Sequence, residues 1–184
     1  MNDFRRYALV IAIYFNTRGF AFVIFESSLS PVDWGVKEVR GDRRHARCLV
    51  KIVAILDQYQ PDVLVLQDSS PRGTLRTRRI TKLNSAIAEL ATGRGMALYA
   101  YSRADVWNAF RDVGVSNKQD LAMVVALRIP AFERYVPPPR KPWKSEDARM
   151  GIFDAAALAL TYFKDEAGGN WQSLSTSRFG PPAY

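Results

Sequence analysis

Apolar runs and polar breaks alternate along the first forty residues with the short period of strands. YALVIAIYF (7–15), GFAFVIFE (19–26) and VDWGVKEV (32–39) are rich in β-branched and aromatic residues and separated by turn residues, so each is predicted to be a strand. Connections this short leave no room for a crossover and make the three an antiparallel meander. The period then lengthens. RRHARCLVKIVAILDQYQ (43–60) sets Cys48, Ile52, Ile55 and Leu56 at helical spacing behind an Asp42 N-cap, which predicts an amphipathic helix stopped by Pro61. DVLVLQD (62–68) is a continuous apolar run, the pattern of a strand buried on both faces.

Beyond it, SSPRGTLRTRRITK (69–82) reads as a basic loop, LNSAIAELATGRG (83–95) as a helix with a glycine stop, and MALYAYS (96–102) as a fifth strand. RADVWNAF (103–110) predicts a short helix and KQDLAMVVALRI (118–129) a longer one. A proline-rich basic connection, YVPPPRKPWKSED (135–147), leads into a final helix, ARMGIFDAAALALTYF (148–163). Residues 165–184 turn rich in Gly, Ser and Pro and are expected to form a tail outside a domain of residues 1–164. Three antiparallel strands followed by alternating helix and strand predict an α/β domain built on a mixed five-stranded sheet flanked by helices.

Composition adds a partner to this picture. Twenty-six Lys and Arg against eighteen Asp and Glu leave a formal net charge of +8, which suits a polyanion such as nucleic acid or an anionic membrane surface, or is simply a solvated basic exterior. Cys48 has no second cysteine to pair with, which fits a reducing, cytoplasmic setting. One histidine, His45, beside one cysteine makes no zinc cluster. The longest apolar stretches fall short of the roughly 20 residues of a membrane span. The N-terminus lacks a small-residue cleavage site, so no signal peptide is expected.

Four segments in order resemble a known family. IAIYFNTRGFAFVIF is similar to the opening hairpin of the RuvC-type Holliday-junction resolvases within the RNase H-like superfamily, and DVLVLQD to their fourth strand. YSRADVWNAFRDVGVSNKQDLAMVVALRIP resembles their strand, polar segment and lysine-bearing helix, and FDAAALALTYF their terminal helix. The resemblance spans about residues 8–163 and implies an RNase H-like sheet. It also implies a cluster of four carboxylates holding two magnesium ions, one activating water and one stabilising the leaving oxygen. Resolvases of this type act as dimers because a four-way junction offers two symmetric cleavage points, so the resemblance implies a homodimer; no stripe along the chain marks its interface.

Carried over position by position, the acidic pattern is degenerate. The first aspartate falls on Tyr14, whose phenol stays neutral near pH 7. The glutamate falls on Gln67, which offers a carbonyl oxygen without charge. Of the last helix's two aspartates, one falls on Gly151 and the other matches Asp154, the expected metal-bound acid. Asp68, Glu146 and Asp147 are neighbouring acids that could join Asp154 in a rearranged catalytic site. Asp68 points to the opposite strand face, and Asp147 lies two helical turns, roughly 10.5 Å, from Asp154. Asp154 could instead be a half-buried acid paired with Arg18 or Arg149.

For nucleic acid the candidates fall into three groups. Arg72, Arg76, Arg78, Arg79 and Lys82 form a charge run directly after the strand that borders the cleft. Lys118 matches the family's phosphate-contacting lysine, and Arg18 belongs to the opening hairpin turn. Arg140, Lys141, Trp143 and Lys144 interleave cations with a stackable ring, unless Trp143 is tucked into the core. These features predict a protein that binds structured or branched nucleic acid, most simply DNA, with metal-dependent cleavage lost or weakened. The alternatives are an active magnesium-dependent endonuclease and a protein-interaction scaffold using Trp171, Phe179 and Tyr184 of the tail.

Overall fold

The computed structural model describes residues 8–68 and 75–168, with side chains in the second span described from Arg78 onward. Its five strands are β1 (Val10–Phe15), β2 (Gly19–Ser27), β3 (Ser30–Glu38), β4 (Val63–Gln67) and β5 (Ala97–Tyr101). They form one sheet in the order β3-β2-β1-β4-β5. The meander β1–β2–β3 is antiparallel, while β4 lies parallel to β1 and β5 parallel to β4. This is the mixed sheet the apolar pattern predicts.

Strand alternation sorts the core into two layers. Ile11, Ile13, Leu64 and Leu66 pack with helices α1 (Arg44–Tyr59) and α2 (Leu75–Gly93). Val10, Ala12, Val63 and Val65 face the other way, against α3 (Arg103–Ala109), α4 (Lys118–Arg128) and α5 (Met150–Glu166). Because Tyr14 and Gln67 share the parity of this second set, their side chains belong to the face that α5 crosses. Asp68, one residue on, is exposed and has the opposite parity, as expected.

Two boundaries that bear on the site differ from the sequence reading. Residues 75–82, expected as loop, are the first turns of α2; Arg, Lys and Leu are good helix formers, and no Gly or Pro follows Gly73 until Gly93. Arg76, Arg78, Arg79 and Lys82 therefore stand on a helix, whereas Arg72 lies outside the described residues. At the other end α5 begins at Met150, not 148, so Asp147 precedes it and does not share a helical face with Asp154. A 3-10 segment, Pro130–Tyr135, also follows α4, begun by a proline at its first position. The tail aromatics Trp171, Phe179 and Tyr184 lie outside the described residues. Among the described residues no helix is long and apolar enough to cross a membrane.

Candidate nucleic-acid interface

The β1–β2 turn fixes one wall of the site. Asn16 Oδ1 accepts from the backbone N–H groups of Arg18 and Gly19 at 2.8 and 2.9 Å. Gly19 has φ +155°, and a Cβ there would lie 2.0 Å from the Lys37 carbonyl oxygen, so only glycine fits. The turn holds Tyr14 at the end of β1 and projects Arg18 outward. Two capped helices supply the opposite wall. Ser102 and Asp105 form a reciprocal capping box on α3, and Asn117 Oδ1 accepts from Asp120 N–H at 3.0 Å at the start of α4. Lys118 is consequently held as the first residue of α4.

Between these walls lies a cleft of about 260 Å³ lined by Tyr14, Gln67, Lys118, Glu146 and Asp154, with Arg103 and Trp107 from α3. Its centre is an ammonium group. Lys118 Nζ donates to Asp154 Oδ2 at 2.9 Å and to Glu146 Oε1 at 2.8 Å, lies 3.5 Å from Tyr14 Oη, and sits 5.3 Å from the Tyr14 ring centroid. Asp154 thus pairs with Lys118 and with neither Arg18 nor Arg149, the partners considered from sequence. Its side chain is only 11% exposed and that of Lys118 27%.

Burial pushes the Asp154 carboxyl up to about 6, against the opposing pull of Lys118. For Lys118 burial works downward, but Asp154, Tyr14 and the hydrogen bonds to Glu146 and Asp154 together raise it above its ordinary value. The two directions describe one ion pair that holds the proton on nitrogen at neutral pH. Tyr14 is itself raised, first by burial and then by Asp154, and stays a neutral phenol.

The other acids are placed elsewhere. Asp147 takes both Nε and Nη2 of Arg149, at 3.0 and 2.7 Å, and that pairing lowers its pKa. Asp68 is exposed beyond β4. Glu146 reaches Lys118 from the end of the proline-rich strap. Among the described residues no group of three or more His, Cys, Asp or Glu side chains is arranged to hold a metal ion. Gly151 has a packing role: a Cβ there would stand 3.0 Å from Ala21 Cβ and 3.6 Å from Asn16 Nδ2, so α5 crosses β2 where a larger residue would crowd it. The donor set does not fit a pair of divalent cations. A phenol, an amide, a glycine and one carboxylate stand at the four positions the resemblance implies, and an ammonium already neutralises that carboxylate.

Among the described basic candidates, Lys118 lines this cleft. Arg78, Arg79 and Lys82 are exposed on α2. On the strap, Arg140 Nε donates to the Lys144 carbonyl at 2.8 Å, and Lys141 Nζ lies 5.8 Å from the Trp143 ring centroid. Trp143 is 78% exposed, so it is a surface ring and not a core residue. Arg18 Nη2 donates to Ser145 Oγ at 2.9 Å and ties the strap to the hairpin turn. Sequence reasoning did not single out Arg103 and Trp107, whose guanidinium and ring centroid lie 5.7 Å apart on the cleft wall. An arginine four residues before a tryptophan is the only local signal, and both are ordinary on a helix face.

No family model matches the sequence, and no curated protein matches it. Solved structures do. The chain is similar to Thermus thermophilus RuvC in complex with a Holliday junction substrate, at 18% identity and a TM-score of 0.66, over 88% of this chain and 97% of that one. It is also similar to the yeast mitochondrial Holliday junction resolvase, at 16% identity and a TM-score of 0.62, over 92% of this chain and 81% of that one. The fowlpox virus Holliday junction resolvase is a third, at 12% identity and a TM-score of 0.52, over 85% of this chain and 99% of that one. Sheet order and these likenesses define an RNase H-like fold. The form of that fold is RuvC-like.

Proposed function

We propose that this chain binds structured or branched nucleic acid, DNA in the first instance, and that metal-dependent cleavage at its cleft is lost or greatly weakened. The Lys118 ammonium, in contact with Asp154 and Glu146, carries the second half of this reading. A fixed internal cation supplies one positive charge at the acidic corner and can neither be exchanged nor bind and activate water as a divalent ion does. The first half is supported by the RuvC-like fold and by the exposed cations of α2 and the strap. The solved structures similar to it include two bound to Holliday junctions. Cations of α2 and the strap would hold phosphates and fix orientation, while the exposed Trp143 would stack on a sugar or base.

Binding of a labelled four-way DNA junction, measured from about 50 to 200 mM salt, is the first test; about six or more phosphate contacts predict a fall of about 10³-fold or more across that range. Affinity for no DNA or RNA at the lowest salt would overturn the proposal.

A further inference from the structure

A second basic surface lies at the hairpin turn and the start of α1, and reaches α2 at Arg79. Arg18, Arg40 and Arg44 line a groove of about 460 Å³ in which Glu38 is the acid. Arg44 also lines an adjoining hollow with Thr17, His45 and Arg79. The two depressions share Arg44 and run together from α2 toward the end of β3.

Backbone carbonyls hold the Arg44 guanidinium of the groove and the neighbouring Arg47 in place. Arg44 Nη1 donates to the Thr17 carbonyl at 3.1 Å, and Arg47 Nη1 to the Arg40 carbonyl at 2.9 Å. Each arginine keeps further N–H donors of its rigid fork for an anion, and a fork already oriented loses less entropy on binding phosphate. Glu38 lies 4.0 Å from Arg18 and 3.6 Å from Arg40, pairings that are weak at an exposed surface and readily exchanged. Arg43, Arg44 and Arg47 also crowd like charges together, with no acid in the first turn of α1 to relieve them. That crowding raises the energy of the free protein, and a polyanion lowers it. Arg18, through its bond to Ser145, joins this groove to the strap.

We infer that the groove takes the phosphate backbone of a second arm of a branched nucleic acid whose first arm lies over the cleft; this rests on the nucleic-acid reading above. Backbone contacts are indifferent to sequence, so the groove adds affinity and a preference for branched over linear ligands and reads no bases. A linear duplex engages one side only.

The test compares the full chain with an Arg40→Gln/Arg44→Gln double variant on a labelled four-way DNA junction and on a linear duplex of the same arm sequence. Arg134→Gln, an exposed site beyond α4, serves as the control. The double variant is expected to lower the junction's slope of log K against log salt by roughly 2 and its affinity about tenfold or more, with duplex affinity kept within about twofold. Its thermal midpoint is expected to stay level or rise. A junction slope and affinity equal to wild type would overturn the inference, as would equal losses on junction and duplex, while leaving nucleic-acid binding intact. Wild-type protein that binds neither ligand would overturn both.

Discussion

Replacing Lys118 by methionine is expected to destabilise the protein by about 3 kcal/mol near pH 8, the lower end of the range for breaking a buried ion pair. Lys118 retains 27% exposure, which keeps the effect from being larger, but Asp154 at 11% would be left as a buried carboxylate with its principal counter-ion gone. The pH dependence carries its own signature. In the folded protein the Asp154 carboxyl is raised to about 6, so its contribution favours the fold below the ordinary carboxylate range and is lost as pH rises through about 6. Without Lys118 its pKa rises further, and the folded variant keeps losing stability above the point where wild type has levelled off. The deficit therefore opens above pH 6 and closes below it. Urea denaturation across this range measures it, and a Lys118→Met/Asp154→Asn double variant should recover most of the loss. A deficit independent of pH, or no recovery, would mean that the Lys118 chain matters for packing and not as the partner of Asp154.

Removing the strap's cations should weaken nucleic-acid binding about a hundredfold without touching the fold. Arg140, Lys141 and Lys144 changed together to glutamine are expected to lower the salt slope by roughly 3, one step for each phosphate left without its cation. Trp143→Ala should leave that slope unchanged and cost a further ~1–3 kcal/mol of binding, roughly tenfold to a hundredfold, because no ring remains to stack on. Because the ring is 78% exposed, the variant should unfold at the wild-type urea concentration. Anisotropy titrations at two or more salt concentrations separate the two effects. A Trp143→Ala protein with full affinity would remove stacking from the account and leave only charge.

The sheet was legible because its signals are local. Short β-branched runs, a two-sided apolar strand at 63–67 and tight turns leave few topologies open, and Asn16 with Gly19 marks the hairpin on its own. Charge misled at α2, where an arginine-rich run reads as solvated loop although arginine is a good helix former. Pro31 shows a related effect. It stands just ahead of the third strand as read from the sequence (32–39), yet edge strand β3 begins at Ser30 and accepts it opposite an irregularity at Phe25.

The site was legible only in part. Tyr14, Gln67, Gly151 and Asp154 could be picked out because the resemblance to the resolvases carries an acidic pattern onto them. The partner of Asp154 could not, since Lys118 is 36 residues away on another helix and pairing across packed elements leaves no periodic trace. Gly151 looked like a missing acid. Its approach to Ala21 shows a close helix-to-strand crossing, a property of packing that one sequence does not display.

The most direct test of an ammonium in place of metals is incubation of wild-type protein and Asp154→Asn with a labelled four-way junction, in Mg²⁺, Mn²⁺ or EDTA. Binding equally tight in all three, with no nicked product from either protein, is the result this account predicts. Nicking by wild type that needs the metal and disappears in Asp154→Asn would contradict it, and would mean that Lys118 yields its place to a divalent ion when the junction arrives.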